Sequence, residues 1–316
     1  DSGERFSFEK LIVATGARPR MPQIPGARLA NVHVLRSLDD SKRIRKTAQN
    51  SKRAVVIGSG FIGMEVAAVL AQKSVEVTMI LREDRIWKKF FTPEMSRFFE
   101  KYYSDRGVRF IKNAETAELR GDGAVSAAVL GDGKTVACDL VVAGIGVEPV
   151  TEFLSGSGIE ISNGIVVNEY LETNRPGILS AGDVANYPDV LFNKRRRVEH
   201  WDNAVSQGQH CARALMGERA PFKHVPYFFS DVFDLSYEFW GDPSGADQAV
   251  HRGDLSGSSF SVWWLHQNAV VAAFAMNRPD EERETAPTWI ESKQRASAAK
   301  LADASQSLSS AAQSSR

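Results

Sequence analysis

The chain has 316 residues, enough for two or three domains with a sizeable core, and its 39 Lys and Arg balance 39 Asp and Glu, so no net field recruits nucleic acid. Two cysteines, Cys138 and Cys211, lie far apart without CxxC or metal-ligand spacing, which argues against a disulfide framework or a zinc site. No apolar stretch reaches the roughly 18 to 20 residues of a membrane span, and the totals describe a soluble protein of a reducing compartment.

In chain order, residues 1–30 read as a strand pair running into a segment where Pro19, Pro22 and Pro25 forbid helix and favour an extended crossing between domains. Asp39 to Gln49 reads as a charged surface helix. Lys52 to Ile57, Met64 to Lys73 and Val75 to Leu81 then read as strand, helix and strand around Gly58-Ser-Gly60-Phe-Ile-Gly63-Met-Glu65. Gly58 permits the tight turn, Gly60 lets a pyrophosphate approach the backbone, and Gly63 lets the helix pack on the strand, with the helix N-terminus facing the phosphates.

Thr92 and Pro93 read as the N-cap and first position of a helix running to about Arg106, which Gly107 ends. Arg109 to Lys112, Glu115 to Arg120 and Ala124 to Leu130 read as strands of a meander with Gly-Asp-Gly turns at 121–123 and 131–133. Asp139 to Ala143 is a buried strand ending at Gly144-Ile-Gly146, and Pro149 marks the return crossing. Ile165 to Asn168 and Ile178 to Ala181 read as strands, Lys194 to Arg197 as a solvated basic loop, and Asp202 to Met216 as a helix ended by Gly217. From Pro221 onward the chain is aromatic and antiparallel, a density that suits a core or a subunit interface better than a ligand box. The tail from Ser292 has a helix-compatible first part, and Ser305 to Arg316 is expected to be frayed.

Three segments, Leu11-Ile-Val-Ala14-Thr15-Gly16, Val55 to Glu65, and Gly177-Ile-Leu-Ser-Ala-Gly182-Asp183, resemble in order and spacing the pyridine-nucleotide flavoprotein oxidoreductases. The resemblance implies an α/β fold of nested Rossmann-like FAD and NAD(P) domains, the FAD domain incomplete, plus a C-terminal α+β interface domain. The implied boundaries are 1–38 and 150–220 for the FAD domain, 39–149 for the NAD(P)H-binding domain, 221–304 for the C-terminal domain and 305–316 for a flexible tail. The family's first FAD βαβ unit would lie upstream of Asp1. With a start that is not methionine, this suggests an excised chain that binds FAD weakly while its parent binds it tightly.

Arg197-Val-Glu199-His200-Trp201-Asp-Asn-Ala204 is similar to a segment of the monodehydroascorbate reductases and the apoptosis-inducing-factor group. Val225-Pro-Tyr-Phe-Phe-Ser230 and Asp234-Leu-Ser-Tyr-Glu-Phe-Trp-Gly-Asp242 point to the first of these. Trp201, Asn203 and Leu81-Arg82 depart from that pattern, and the departures bear on the substrate rather than the fold.

What this resemblance implies is an enzyme in which NAD(P)H gives a hydride to FAD, followed by single electrons to a small radical or a redox protein. Ala14, Thr15, Gly16, Gly182 and Asp183 would hold FAD, Asp183 through a ribityl hydroxyl. A helix N-cap role for Asp183 fits the same sequence. Gly58, Gly60, Phe61, Ile62, Gly63 and Gly146 would hold the nicotinamide dinucleotide. Glu65 would orient the carboxamide or a neighbouring Lys, unless it is an ordinary acid of the first helical turn. Glu199, His200 and Trp201 would flank the flavin ring, Arg197 would bind an anionic acceptor such as the ascorbyl radical, and Tyr227 would line the electron exit. Glu83, 25 residues beyond Gly58, would read the adenosine ribose and favour NADH, while Arg82 would make NADPH tolerable.

Two alternatives stand beside this reading. One is a ferredoxin or rubredoxin reductase, which would dock an acidic partner on Lys194 to Arg197, or else an apoptosis-inducing-factor-like NADH oxidoreductase. A truncated NAD(P)-binding module without catalysis is the other. A monomer or homodimer in the cytoplasm, with an organelle left open, completes the expectations.

Overall fold

The computed structural model describes residues 3–313. The chain passes twice between two nucleotide folds. Strand β1 (Leu11–Val13) leads into β2 (Ala17–Pro19), after which the chain crosses to a second unit containing β3 (Val32–His33), α1 (Leu38–Ala48), β4 (Arg53–Ile57), α2 (Phe61–Gln72), β5 (Glu76–Ile80), α3 (Pro93–Ser104) and β6 (Val108–Ile111). An antiparallel meander follows, β7 (Thr116–Asp122), β8 (Ala124–Leu130) and β9 (Thr135–Ala137), and β10 (Leu140–Ala143) rejoins the parallel sheet. Its order is β3-β10-β4-β5-β6. β11 (Val147–Pro149) pairs antiparallel with β2, so the outgoing and returning connectors form one two-stranded crossing.

Local chemistry explains the helix boundaries. Ser37 and Asp40 form a reciprocal capping box on α1, and the Thr92 hydroxyl accepts the Met95 N–H with Pro93 at the first position of α3. The central strands are almost continuously apolar because both faces are covered: Val55, Val56, Met79, Val141 and Val142 are fully buried. The sequence reading places residues 109–112 in the meander. Residues 109–111 belong instead to the edge strand of the parallel sheet, and the meander's third strand is β9, because Thr135 to Ala137 pairs with Ala127 to Val129.

Back in the first unit, β12 (Ile165–Val166) and β13 (Ile178–Ser180) precede the hairpin β14 (Ala185–Asp189) and β15 (Lys194–Arg196), and α4 (Trp201–Leu215) follows. β13 lies parallel to β1 with Val13 opposite Ser180. The C-terminal sheet has β16 (Tyr227–Val232), β17 (Leu235–Gly241), β18 (Gln248–Asp254), β19 (Ser259–His266) and β20 (Ala269–Met276) in the order β16-β17-β20-β19-β18. One face packs Tyr237, Phe239 and Phe274 against Trp87, Phe91 and Phe99 of the second unit. The other packs Trp263 and Leu265 beneath α5 (Asp280–Glu291), α6 (Ala298–Ala302) and α7 (Leu308–Ala311). The aromatic density is therefore core.

The tail and the basic run also differ from what their sequences suggest. Within 305–313 the tail is packed rather than frayed: Leu308 and Ala311 are buried, and the buried Arg252 guanidinium donates to the carbonyls of Leu301, Asp303 and Gln306. Residues 314–316 lie outside the described residues. The basic run is a strand rather than a solvated loop, because Arg196 bridges Asp189 and Asp242 (Nη1 to Oδ2, 2.6 Å) and Lys194 also pairs with Asp242.

Candidate active site

The glycine turn between β4 and α2 is built as its residue types require. Gly58 has φ +103°, and a Cβ there would meet the Gly144 carbonyl oxygen at 2.3 Å. A Cβ on Gly63 would meet the Gly58 carbonyl oxygen at 2.6 Å, so the helix sits directly on the turn. Gly60, the N-cap of α2, has no atom within 4 Å of its Cβ position. That open side, with the unpaired N–H groups of the first turn beside it, suits a pyrophosphate.

α2 starts at Phe61, three residues before the helix read from sequence. Phe61 turns inward, its ring 4.3 Å from Phe228, 5.5 Å from Phe90 and 6.4 Å from His200 between centroids, while Ile62 is exposed. Glu65 is half-buried and accepts a hydrogen bond from Ser230 Oγ at 2.5 Å; burial pushes its pKa up. Among the described residues no Lys or Arg forms an ion pair with it. Arg82 and Glu83 follow the end of β5, both exposed, with Arg82 Nε 3.0 Å from Glu115.

The second turn holds Asp183. Because β1 and β13 are parallel neighbours, the Ala14-Thr15-Gly16 turn and the Ala181-Gly182-Asp183 turn end side by side, joined by the Ala181 N–H to the Val13 carbonyl at 3.1 Å. Thr15 Oγ1 donates to the Val150 carbonyl at 2.8 Å, and Gly146 accepts from the Arg20 N–H at 2.9 Å, so both contribute to the crossing. Gly182 has φ +79° and donates its N–H to Gln207 Oε1 on α4 at 2.8 Å. Asp183 lies inside a three-residue 3-10 turn preceded by the extended Ala181, which removes the helix N-cap alternative. Its carboxyl is mostly buried, which raises its pKa against the opposing Arg36, 3.7 Å away, and Arg197.

Arg197 is committed to this turn. Its side chain is 7% exposed, with Nη1 donating to the Asp183 carbonyl at 2.6 Å, Nη2 to Glu199 at 2.7 Å and Nε to Asn163 Oδ1 at 3.3 Å. Gly164 makes room, since a Cβ there would meet Arg197 Cδ at 2.6 Å. His200 occupies the N-cap position of α4, its ring stacked on Phe228 at 4.9 Å, and burial lowers its pKa to about 4. Trp201 next to it is 75% exposed. Tyr227 stacks on Trp240 at 5.5 Å and donates to Glu238 at 2.7 Å, and Glu238 also holds Arg283.

Phe61 and His200 thus meet, and α4 links His200 to the Gly182 turn, while Arg82 and Glu83 follow β5 and Tyr227 packs on Trp240. Arg36, Asn163, Gly164, Gln207 and Ser230 were not singled out from sequence. Only Asn163-Gly164 carried a local signal, an Asn-Gly turn with positive φ at both residues.

The residues fit a dinucleotide on each side. Gly60 leaves one side open, the Gly182 turn presents a carboxylate on the other, and the buried Gln207 Nε2 behind that turn has no protein partner. Among the described residues there is no cluster of metal ligands, and no helix is long and apolar enough to cross a membrane.

A chain with two nested nucleotide folds, a glycine turn and an opposed Gly-Asp turn defines a class of flavin-linked pyridine-nucleotide oxidoreductases. Residues 1–208 match the pyridine nucleotide-disulphide oxidoreductase family, and residues 227–312 match the reductase C-terminal family; the chain belongs to the former. It is 37% identical over 294 residues to a peroxisomal monodehydroascorbate reductase of Arabidopsis thaliana, covering 90% of this chain and 60% of that protein. With putidaredoxin reductase of Pseudomonas putida it shares 34% over 285 residues, covering 88% and 68%. A ferredoxin reductase structure from Rhodopseudomonas palustris superposes with a TM-score of 0.94 at 34% identity, covering 98% of this chain and 76% of that one. The chain spans about three fifths of the length of several monodehydroascorbate reductases that it matches.

Proposed function

We propose that this chain supplies the nicotinamide site and the ribityl side of the flavin site in an FAD-dependent NAD(P)H oxidoreductase of the monodehydroascorbate reductase type. One observation carries the reading. Phe61, the first residue after Gly60, lies 6.4 Å from His200, which begins the helix whose Gln207 holds the Gly182 turn. α4 thereby links the two turns, which supports the reading.

FAD, when bound, supplies acceptance of a hydride and release of electrons one at a time. The chain's own residues bind and orient. Gly60 and the start of α2 take the pyrophosphate of the nicotinamide dinucleotide, Glu65 the carboxamide, and Glu83 the adenosine ribose, which favours NADH. Asp183 takes a ribityl hydroxyl, and neutral His200 with Phe61 and Phe228 excludes water from one side. Arg197 holds the Asp183 turn, since its donors are engaged within the protein. The domain limits given above, and a cytoplasmic setting for a monomer or homodimer, belong to the same reading.

A redox-protein acceptor is the second reading. It is favoured by Phe229, 56% exposed beside Tyr227, and by the exposed Trp201, and it does not require Arg197 to be free. Steady-state assays of the protein carrying this chain, with NADH and either the ascorbyl radical or a ferredoxin, separate the two. Activity with neither, alongside intact NADH binding, would leave a binding module without catalysis.

A further inference from the structure

The Glu65 carboxyl is held by another domain. Ser230 is 2% exposed on β16, and its hydroxyl donates to Glu65 Oε1 at 2.5 Å. Behind it stand Tyr237, whose hydroxyl is buried without a hydrogen-bond partner, and Tyr103, whose hydroxyl donates to the Met64 carbonyl at 3.2 Å. No cation balances Glu65 from α2, α3, β16 or β17. The charged group that acts on it is Asp231, and the Glu65 carboxylate in turn raises the pKa of Tyr103 and Tyr237. A half-buried carboxylate near like charge points where its few donors aim it, and here the one donor is Ser230.

We propose that Ser230 is a positioning residue for nicotinamide-dinucleotide binding, fixing the rotamer and ionisation of Glu65 from the C-terminal sheet. This rests on the reading of Glu65 as the carboxamide acceptor. Because β16 also carries Phe228, packed on Phe61 at 4.3 Å, the C-terminal domain completes the nicotinamide side of the site as well as closing the core.

The protein carrying this chain is titrated with NADH by calorimetry between pH 5 and pH 8, as wild type, Ser230→Ala, Ser230→Thr, Glu65→Gln and the Ser230→Ala/Glu65→Gln double variant. Thermal unfolding is recorded for each. Ser230→Ala should bind about three- to tenfold more weakly, as expected for one oriented hydrogen bond. Its affinity should begin to fall at a higher pH than wild type, because the lost donor no longer favours the ionised carboxylate. Ser230→Thr should restore both, and Ser230→Ala should add nothing in the Glu65→Gln background. Unchanged affinity and pH profile in Ser230→Ala, or equal weakening in the Ala and Thr variants, would overturn the proposal. Absence of NADH binding in wild type would instead overturn the reading on which it rests.

Discussion

Arg197 donates to the backbone carbonyl of Asp183 at 2.6 Å from a side chain that is 7% exposed. Arg197 is thereby a strut under the Asp183 turn. Arg197→Ala should lower stability by about 1.5 to 3 kcal/mol, the range for a charge-assisted bond lost from a buried site. Flavin should be retained more weakly in the same variant. Chemical unfolding and ultrafiltration of bound flavin check this; a raised KM for a small anionic acceptor with unchanged stability would return Arg197 to the acceptor.

Arg196 tests the correction to the basic run. It lies between Asp189 and Asp242, both buried, so Arg196→Met leaves Asp189 without its cation and Asp242 with Lys194 alone. The cost should be about 3 to 5 kcal/mol. If the run were a docking patch, the substitution would instead alter the salt dependence of partner association and leave the unfolding midpoint where it was.

The contrast shows what could be read in the residues and what could not. β4, α2 and β5 were legible because a hydrophobic run, a glycine turn and a second hydrophobic run state the βαβ unit locally, and Thr92-Pro93 with Gly107 bounds α3 the same way. β15 was illegible because Lys194 to Arg197 carries only positive charge; the acids that bury it are Asp189, within the same hairpin, and Asp242, some 46 residues away from Arg196. α7 was illegible in a Ser-rich tail, since Arg252, which anchors the segment before it, lies 54 residues from Gln306. The glycine and Asp183 turns were found by residue type. Their supports, Gln207, Arg36 and Ser230, are ordinary polar residues that only folding places.

His200 sets a pH dependence. Burial lowers its pKa to about 4 from the 6.5 of an exposed histidine, so the unfolded chain takes up the proton first as pH falls. The contribution is fully present above about pH 6.5 and lost progressively towards pH 4, amounting to about 3 kcal/mol. Urea unfolding at neutral pH and near pH 4.5 should show this loss in wild type, and His200→Gln should lose correspondingly less. Equal losses would place the effect on other groups.

Glu83 should govern nucleotide choice. It is exposed just past β5, while the neighbouring Arg82 pairs with Glu115 at 3.0 Å. Wild type should favour NADH modestly, and Glu83→Gln should shift kcat/KM towards NADPH, because the carboxylate no longer repels a 2′-phosphate. A native preference for NADPH, or no shift in the variant, would remove Glu83 from the ribose.

If the Gly60 turn presents a nicotinamide to a flavin held at the Asp183 turn, reduced nucleotide should bleach that flavin. The protein carrying this chain, loaded with FAD, is mixed with NADH without oxygen while the flavin's visible absorbance is followed, in wild type and Gly60→Ala. A Cβ on Gly60 touches no protein atom within 4 Å, so the variant should fold and keep FAD with stability changed by less than about 1 kcal/mol. Wild type should bleach rapidly, and Gly60→Ala should lose most of that rate. No bleaching by either nicotinamide nucleotide, or bleaching that Gly60→Ala leaves untouched, would contradict it.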